Sequence, residues 1–153
     1  MNASFRHWSP ARILVAVMAV ETGLGALVFD LVLPDTADQH MFNGNWPPHA
    51  KFHDAQYIVM SLLIGALALV LLARRRGDTH TNLLLAAGIS AIPWASMLPA
   101  MLFPGTATYD PEFRGATRFV LGMHGQVFEA LLTLVLLAVA VLLATAGRRR
   151  AAA

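Results

Sequence analysis

The chain has 153 residues, of which 57% are hydrophobic and only 13% are charged, and it contains no cysteine. This balance is typical of a membrane protein and excludes a soluble domain with a large charged surface. Without cysteine the chain can form no disulfide, thiolate metal site or iron–sulfur cluster, so a metal would need His, carboxylate or carbonyl ligands. The net charge of +2 comes from arginines that flank apolar segments, which favours contact with a lipid bilayer and argues against a nucleic-acid partner.

Four apolar segments follow one another along the chain, at about residues 11–33, 55–73, 82–103 and 119–147. Each is close to the length of about 20 residues that crosses a bilayer as a helix. The segments use nearly the whole chain, so the sequence predicts one domain, 1–153, with the fold of an all-α integral membrane four-helix bundle. Apolar residues resume after Glu21, which favours a continuous first span over a cleaved signal peptide.

The arginines predict the orientation of these spans. Arg6 and Arg12 precede the first span, residues 74–76 follow the second, and residues 148–150 follow the fourth. By the positive-inside rule both termini are expected in the cytoplasm, with the loop 34–54 on the periplasmic or extracellular side. Arginine outnumbers lysine ten to one, which suggests a GC-rich bacterium and hence an inner-membrane location.

Carboxyl groups within the spans are the first candidates for function. Glu21 and Glu129 are expected near the middle of the membrane, where an unpaired charge is costly. They predict a polar cavity that descends from the outer face, in which one carboxylate acts as a base. His124 is expected about one turn inside the fourth span and is the third catalytic candidate.

The loop between the first two spans is unusually rich in histidine. Asn45 could cap a helix whose first turn contains Pro47 and Pro48. His49 and His53 would then lie one turn apart on the same helix face and point towards His124. We therefore expect a metal or acid–base site at this level. Its metal ligands would be four histidines, His40, His49, His53 and His124. The hydrogen-bond partners that orient these ligands would be Asp30, Asp35, Asp54 and Asn43.

Large polar and aromatic side chains near this level are candidates for substrate contact, and they are Trp46, Gln56, Trp94 and Gln126. Each also has a simpler explanation, since tryptophans anchor membrane interfaces and amides join helices. Gly23 and Gly25, or the alanine face of the third span, would allow a homo-oligomer.

The pattern His40-x-x-Asn43-x-x-Trp46-Pro47-Pro48-His49-Ala50-Lys51-Phe52-His53-x-x-Gln56 resembles the signature of an uncharacterised family of small four-span membrane proteins. Gly44 and Asp54 stand where that signature usually has Pro and Asn. The resemblance implies the fold and a shared site but no reaction. A looser similarity is to the emopamil-binding, sterol-isomerase-like bundles, which also place His, Glu and Trp between spans.

Three functions fit these residues. The first is an enzyme that acts on a lipid or small apolar substrate by acid–base or metal-assisted chemistry, with Zn, Fe or Cu as the metal. The second is a non-catalytic membrane protein that binds a ligand or metal in the same pocket. The third, less favoured because it leaves His40 and His49 without a role, is a b-type haem protein with His53 and His124 as axial ligands.

Overall fold

The computed structural model describes residues 8–74 and 76–152, so Arg6 lies outside the described residues. Four long helices form the molecule. The first long helix, α1 (Pro10–Leu27), continues through a π-helical turn (Val28–Val32). A short helix in the following loop is α2 (Pro34–Ala37). The remaining long helices are α3 (Pro48–Ala73), α4 (Thr79–Ala100) and α5 (Gly125–Ala152). The long helices are apolar and long enough to cross a membrane, so the chain is an integral membrane protein and the predicted all-α four-helix bundle is confirmed.

Helix α1 lies at the centre of the bundle, because it packs against α3, α4 and α5. It begins at a favourable sequence, where the side chain of Ser9 accepts a hydrogen bond from the Arg12 backbone N–H and Pro10 occupies the first helical position. The end of the bundle where α1 begins also contains Arg74, Arg76 and Arg148, and we call it the arginine end.

The core near the arginine end is apolar apart from Asn82, whose side-chain amide donates to the backbone carbonyls of Arg74 and Arg76. Its side chains come from all four spans and interlock in the manner of a soluble core; they include Val15, Ala19, Ala68, Leu72, Ala86, Leu137 and Ala140. Small residues allow the closest approach within the bundle, which joins α1 to α3. A Cβ atom added to Gly65 would lie 2.6 Å from the Cα of Gly23, so the two backbones touch. Gly23, predicted as a surface for self-association, is thus used inside one bundle.

The opposite end, which we call the histidine end, comprises the loop 33–47 and the loop 101–124. The fourth span begins at Gly125 rather than near residue 119, because residues before it form a β-hairpin. Strand β1, Phe119–Val120, pairs with β2, Met123–His124. The turn between them places Leu121 and Gly122 at positive φ angles of 51° and 80°, a conformation that glycine adopts without steric cost. His124 is consequently in a strand beside the fourth span, not a turn inside it.

The second span begins at Pro48, as the proline pair predicts, but Asn45 does not cap it. The capping position is Pro47, which has extended backbone angles and no side chain that could accept a hydrogen bond. Asn45 instead donates from Nδ2 to Oε1 of Glu112, at 2.9 Å. A contact between two loops has replaced the expected local cap.

Candidate functional site

A buried asparagine organises the histidine-rich loop. Asn43 is almost fully buried, and its Oδ1 accepts a hydrogen bond from the Asn45 backbone N–H at 2.8 Å. Its own backbone N–H donates to the carbonyl of His40. This turn is the local reason why the loop folds back over the end of α1. The link of Asn43 to His40 is through backbone atoms, and its side-chain oxygen bonds to Asn45 rather than to an imidazole.

His40 lies over the end of α1 and faces Asp30. Its Nδ1 is 2.8 Å from the carbonyl oxygen of Thr36, and since a carbonyl only accepts, Nδ1 carries the proton. The same atom is 3.5 Å from Oδ1 of Asp30, whose side chain is buried. The edge of the Trp46 ring packs on the imidazole, with centroids 5.8 Å apart. An imidazole and a buried carboxyl group thus form a polar pair at the histidine end.

The loop 101–124 supplies two acidic residues that the sequence argument did not single out. Asp110 accepts a hydrogen bond from the indole N–H of Trp46 at 3.1 Å, and Glu112 accepts the one from Asn45 described above. Together they tie the loop 101–124 to the loop 33–47. The excess of acidic residues in both loops was visible in the sequence, but their pairing partners were not.

The face of α3 that points into the bundle is polar near the histidine end. It carries Asp54, Tyr57 and Ser61 at one-turn spacing, and the same stripe continues through Gly65 to Leu72. Oδ2 of Asp54 and Oγ of Ser61 are buried without a hydrogen-bond partner among the described residues. Tyr57 was missed by the sequence argument, although its spacing from Asp54 and Ser61 could have revealed it.

Tyr57 connects two levels of the bundle electrostatically. It lies within interaction range of Asp30 at the histidine end and of Glu21 and Glu129 deeper in the membrane. Asp54 in turn interacts with His40. The acidic groups thus form a column that runs from the loop towards the middle of the bundle.

Glu21 and Glu129 face each other from α1 and α5, as the depth argument predicted. Both carboxyl oxygens of Glu21 are buried and make no hydrogen bond of normal geometry to the described residues. Glu129 and the hydroxyl of Thr133 are its polar neighbours. Buried oxygens without partners are unusual, because nearly all buried polar groups in proteins are hydrogen-bonded.

His124 is half-buried at the start of α5. Its ring stacks on Tyr109, with centroids 6.3 Å apart and planes 5° from parallel, and meets Phe119 edge-on. Nδ1 accepts a weak hydrogen bond from the Gln126 backbone N–H at 3.3 Å, so the neutral ring carries its proton on Nε2. Burial, and secondarily the nearby His40, lower the pKa of His124 below its usual value of 6.5, which favours this neutral form.

His49 and His53 do not point towards His124, contrary to the sequence expectation. Both are exposed on the bundle surface, where their Nε2 atoms are 3.1 Å apart. The physical reason lies further along α3: Gly65 and Leu72 must face α1, and the residues in register with them are Asp54 and Ser61. His53 precedes Asp54 and is therefore rotated by about 100° from the packed face.

The four predicted metal-binding histidines are divided between two places. His40 and His124 belong to the polar end of the bundle, whereas His49 and His53 contact each other outside it. Among residues 8–74 and 76–152, no group of three or more His, Asp or Glu side chains is arranged to hold a metal ion. Likewise His53 and His124, the pair considered for haem, do not contact each other.

The remaining predicted site residues lie outside the acidic column. Trp94 is buried, and its indole N–H donates to Oγ1 of Thr22 at 2.8 Å, which makes it a link between α4 and α1. Gln126 is exposed, as is Asp35, and Gln56 is exposed beside His53. Two shallow surface depressions lie elsewhere, one beside Trp8 and Val17 and the other beside Leu142 and Arg149, so neither is the polar cavity expected from the sequence.

The fold and the site together define a small four-span membrane protein with titratable groups buried at one end. Residues 14–151 match a family of unknown function (DUF6640). Since this covers nearly the whole chain, the protein belongs to that family. No curated protein matches the chain. No solved structure matches it either.

Membership agrees with the resemblance to an uncharacterised family that the sequence suggested. The match supplies no reaction, substrate or cofactor, and it does not test the histidine-loop signature or the similarity to sterol-isomerase-like bundles.

Proposed function

We propose that the protein is a membrane enzyme that performs acid–base chemistry on a lipid or small apolar substrate between its helices. The observation that supports this most strongly is the pair of buried, unpartnered carboxyl oxygens on Glu21 beside the second carboxyl of Glu129. Such an arrangement has an energetic cost that apolar residues of the same volume would avoid. A site that accepts and returns a proton would explain why it is present.

In this proposal Glu21 and Glu129 share one proton. Two close carboxylates in an apolar interior are strongly destabilised when both are charged. The protonated carboxyl group would donate to the substrate while the ionised one abstracts a proton, as in other carboxyl pairs that divide the roles of acid and base. The hydroxyl group of Thr133 neighbours Glu21 and would orient its carboxyl group once a substrate is bound.

The proton would reach this pair from the histidine end. His40 and Asp30 are the exchange point, because His40 is half-exposed while Asp30 is buried. Tyr57 lies between Asp30 and the glutamates, where its hydroxyl group can accept one proton and donate another. His124 is kept neutral and would offer its Nε2–H as a hydrogen-bond donor to a polar atom of the substrate.

The surroundings of the site indicate the class of substrate. Every span presents a lipid-exposed apolar surface, with exposed residues such as Val59, Leu63 and Leu132. A molecule that reaches Glu21 from the bilayer must therefore be largely apolar and carry one group that can exchange a proton. Lipids and small sterol-like or terpenoid-like molecules fit this description. Of the predicted substrate contacts, Trp46 is the one that adjoins the acidic column.

The second candidate is a non-catalytic protein that binds such a ligand. The unpartnered oxygens of Asp54 and Glu21 and hydroxyl of Ser61 would hydrogen-bond to a polar ligand as well as to a reacting one. The two functions differ in whether the ligand leaves unchanged.

The orientation belongs to the same proposal: the arginine end faces the cytoplasm and the histidine end the periplasm or exterior of a bacterial inner membrane. The positive-inside rule supports it, since Arg74, Arg76 and Arg148 share one end. Because the chain lacks cysteine, single Gly115→Cys and Gly147→Cys variants can be labelled from one side, and neither position has neighbours that a side chain would meet. An impermeant maleimide added to intact cells should label only Gly115→Cys; labelling of Gly147→Cys alone would reverse the orientation.

The enzyme proposal is tested in lipid vesicles prepared from the total membrane lipids of the expression host and of a GC-rich bacterium. Wild-type protein, Glu21→Gln and Glu129→Gln are reconstituted separately, and all lipids are compared by mass spectrometry after incubation. We expect one species to be converted by the wild type and its rate to fall by about 10²–10⁴-fold in either variant, the usual contribution of a general acid or base. Asp78→Asn, at the arginine end, is the matched control and should behave as wild type.

Two other outcomes contradict the proposal, the first its catalytic function and the second the role of the carboxyl pair. A lipid that copurifies with the wild type, is absent from Glu21→Gln and is never altered would identify the binding protein instead. Equal conversion by Glu129→Gln and the wild type would remove the carboxyl pair from the mechanism.

A further inference from the structure

The exposed residues His49 and His53 form a direct hydrogen bond between their imidazole rings. The two residues stand one turn apart at the start of α3, and their Nε2 atoms approach to 3.1 Å. Their ring centroids are 4.5 Å apart with planes at 74°. The 3.1 Å contact is a hydrogen bond between the two rings, so both Nε2 atoms are turned towards each other on the surface of the bundle.

The neighbouring amide sets the protonation of one ring. Nδ1 of His53 is 3.3 Å from Oε1 of Gln56. An amide oxygen only accepts, so Nδ1 of His53 carries the proton and its Nε2 accepts the hydrogen bond from Nε2–H of His49. A metal ion would replace that shared proton, because a neutral His49 can carry its proton on Nδ1 instead. The bond from His53 to Gln56 is the arrangement found around metal-bound histidines, whose second nitrogen usually donates to an oxygen that fixes the ring.

The other ring is held by packing. His49 stacks on Phe52, with centroids 6.2 Å apart and planes within 8°, and Phe52 also meets His53 edge-on. Phe52 is itself 60% exposed, so it adds little to the bundle core. Its position is explained by the histidines that it supports.

We propose that His49 and His53 bind one divalent transition-metal ion, Cu²⁺ or Zn²⁺, through their Nε2 atoms, with Gln56 as the residue that orients His53. Two metal–nitrogen bonds of about 2.1 Å place the nitrogens about 3 to 3.4 Å apart for angles between square-planar and tetrahedral, and the 3.1 Å separation falls in this range. Among the described residues no third His, Asp or Glu joins them, so the other coordination positions are open to water or to an oxygen donor.

This site differs from the four-histidine centre that the sequence suggested, because it uses neither His40 nor His124. It is also separate from the carboxyl pair proposed for acid–base chemistry. Loss of the metal site would leave that chemistry untouched, and failure of the enzyme proposal would leave the metal site standing.

The test is Cu²⁺ binding to full-length protein in detergent or nanodiscs, purified without a polyhistidine tag. Titration calorimetry gives stoichiometry and affinity, and electron paramagnetic resonance of the bound Cu²⁺ counts the imidazole nitrogens through their hyperfine coupling. We expect one site with two imidazoles. His49→Gln and His53→Gln should each weaken binding by more than about tenfold, and Gln56→Leu should weaken it by about 10–100-fold although both ligands remain.

His80→Gln is the matched control, since it removes a histidine near the arginine end and should leave affinity unchanged. The proposal is overturned if His53→Gln binds Cu²⁺ as tightly as the wild type, or if His124→Gln abolishes the site, which would restore the four-histidine centre. Gln56→Leu with wild-type affinity would overturn the role of Gln56. Folding of each variant is checked by helical circular dichroism before titration.

Discussion

The two ends of the bundle are built on opposite principles. At the arginine end Val15, Ala19, Ala68 and Leu72 are fully buried and apolar, and no charged side chain enters the core formed by the described residues. From the middle of the bundle to the histidine end the same helices bury Asp30 and carboxyl oxygens of Glu21 and Asp54 that lack hydrogen-bond partners among the described residues. One end is packed for stability, whereas the other retains groups that oppose it.

The difference separates the part of the bundle that stabilises the fold from the part in which the proposed function would reside. Helices in a bilayer gain no hydrophobic energy by leaving lipid for each other, so their association depends on close packing and hydrogen bonds. The apolar core near the arginine end and the contact of Gly23 with Gly65 in the middle of the bundle supply the packing. The stability that this packing provides allows the histidine end to keep buried carboxyl groups. Substitutions that stabilise the histidine end should reduce the proposed activity.

The largest effect is expected where the two helix backbones touch. Gly65→Leu places a side chain against the Cα of Gly23 and the carbonyl of Ala19, with no flexible atom to move. Overpacking against other side chains lowers the free energy of unfolding by about 1–3 kcal/mol. Because the new side chain would meet backbone atoms, which cannot move aside as side chains do, we expect a loss of more than about 3 kcal/mol. Unfolding by SDS titration measures this.

Gly88 on α4 is the matched control for that prediction, because a Cβ there meets nothing within 4 Å. Gly88→Ala should leave stability unchanged or raise it by about 0.5 kcal/mol through helix propensity. Equal destabilisation by the two variants would show that the α1–α3 contact is unimportant.

A smaller loss is expected from the apolar core. Leu72 is fully buried, and Leu72→Ala should lower the free energy of unfolding by about 2 kcal/mol. This is near the lower end of the range for such cavities, because helices that separate in a membrane expose their apolar side chains to lipid rather than to water. Leu102→Ala, at a side chain that is 84% exposed, should change it little. Thermal unfolding of both in the same detergent provides the comparison.

The polar half should respond with the opposite sign. The double variant Glu21→Met and Glu129→Met removes the unpartnered carboxyl group of Glu21 and the second carboxyl group beside it. We expect stability to rise by about 1–2 kcal/mol, as when buried charged groups are replaced by apolar ones. Conversion of any lipid substrate should cease. A destabilised double variant would mean that the carboxyl pair is structural.

A moderate effect is expected from His124. The pKa of His124 in the folded protein lies below 6.5, so the unfolded chain binds the proton more readily. The neutral ring therefore contributes to stability above about pH 6.5, and this contribution is lost as the pH falls from there through the pKa of the folded protein. His124→Gln should flatten stability in that window. Nuclear magnetic resonance of ring-labelled histidine should show the His124 pKa rising in His40→Asn, and an unchanged pKa would exclude His40 as its neighbour.

The smallest effect is expected at the exposed turn of the arginine end. Asp78 accepts hydrogen bonds from Arg148 at 2.7 Å, from Thr81 and from the His80 backbone, which together lower its pKa to about 2. The ionised Asp78 carboxylate therefore contributes to stability above the usual carboxyl pKa near 4, and this contribution is lost as the pH falls to about 2. Asp78→Asn should remove that acid dependence, measured by thermal unfolding between pH 5 and pH 2; a steeper dependence in the variant would contradict the assignment.

The acidic residues were the most predictable part of the site. Glu21 and Glu129 could be paired from the sequence, because two spans of known direction place residues at predictable depths. Asp30 could be assigned to the level of the loop for the same reason. The partners Tyr57 and Ser61 were accessible in principle, through their spacing from Asp54. The contacts of Trp46 with Asp110 and of Asn45 with Glu112 join distant loops, and local spacing holds no information about them.

The sequence by itself determined the four spans, the acidic pair and the separation of arginine from histidine ends, because hydropathy and charge act over whole helices irrespective of how those helices pack. Only the tertiary structure decided which face of α3 points inwards. The histidine stripe and the aspartate–tyrosine–serine stripe are about 100° apart on the same helix. The backbone contact between Gly65 and Gly23 selects the second, since no larger residue fits there, and it leaves His49 and His53 outside the bundle.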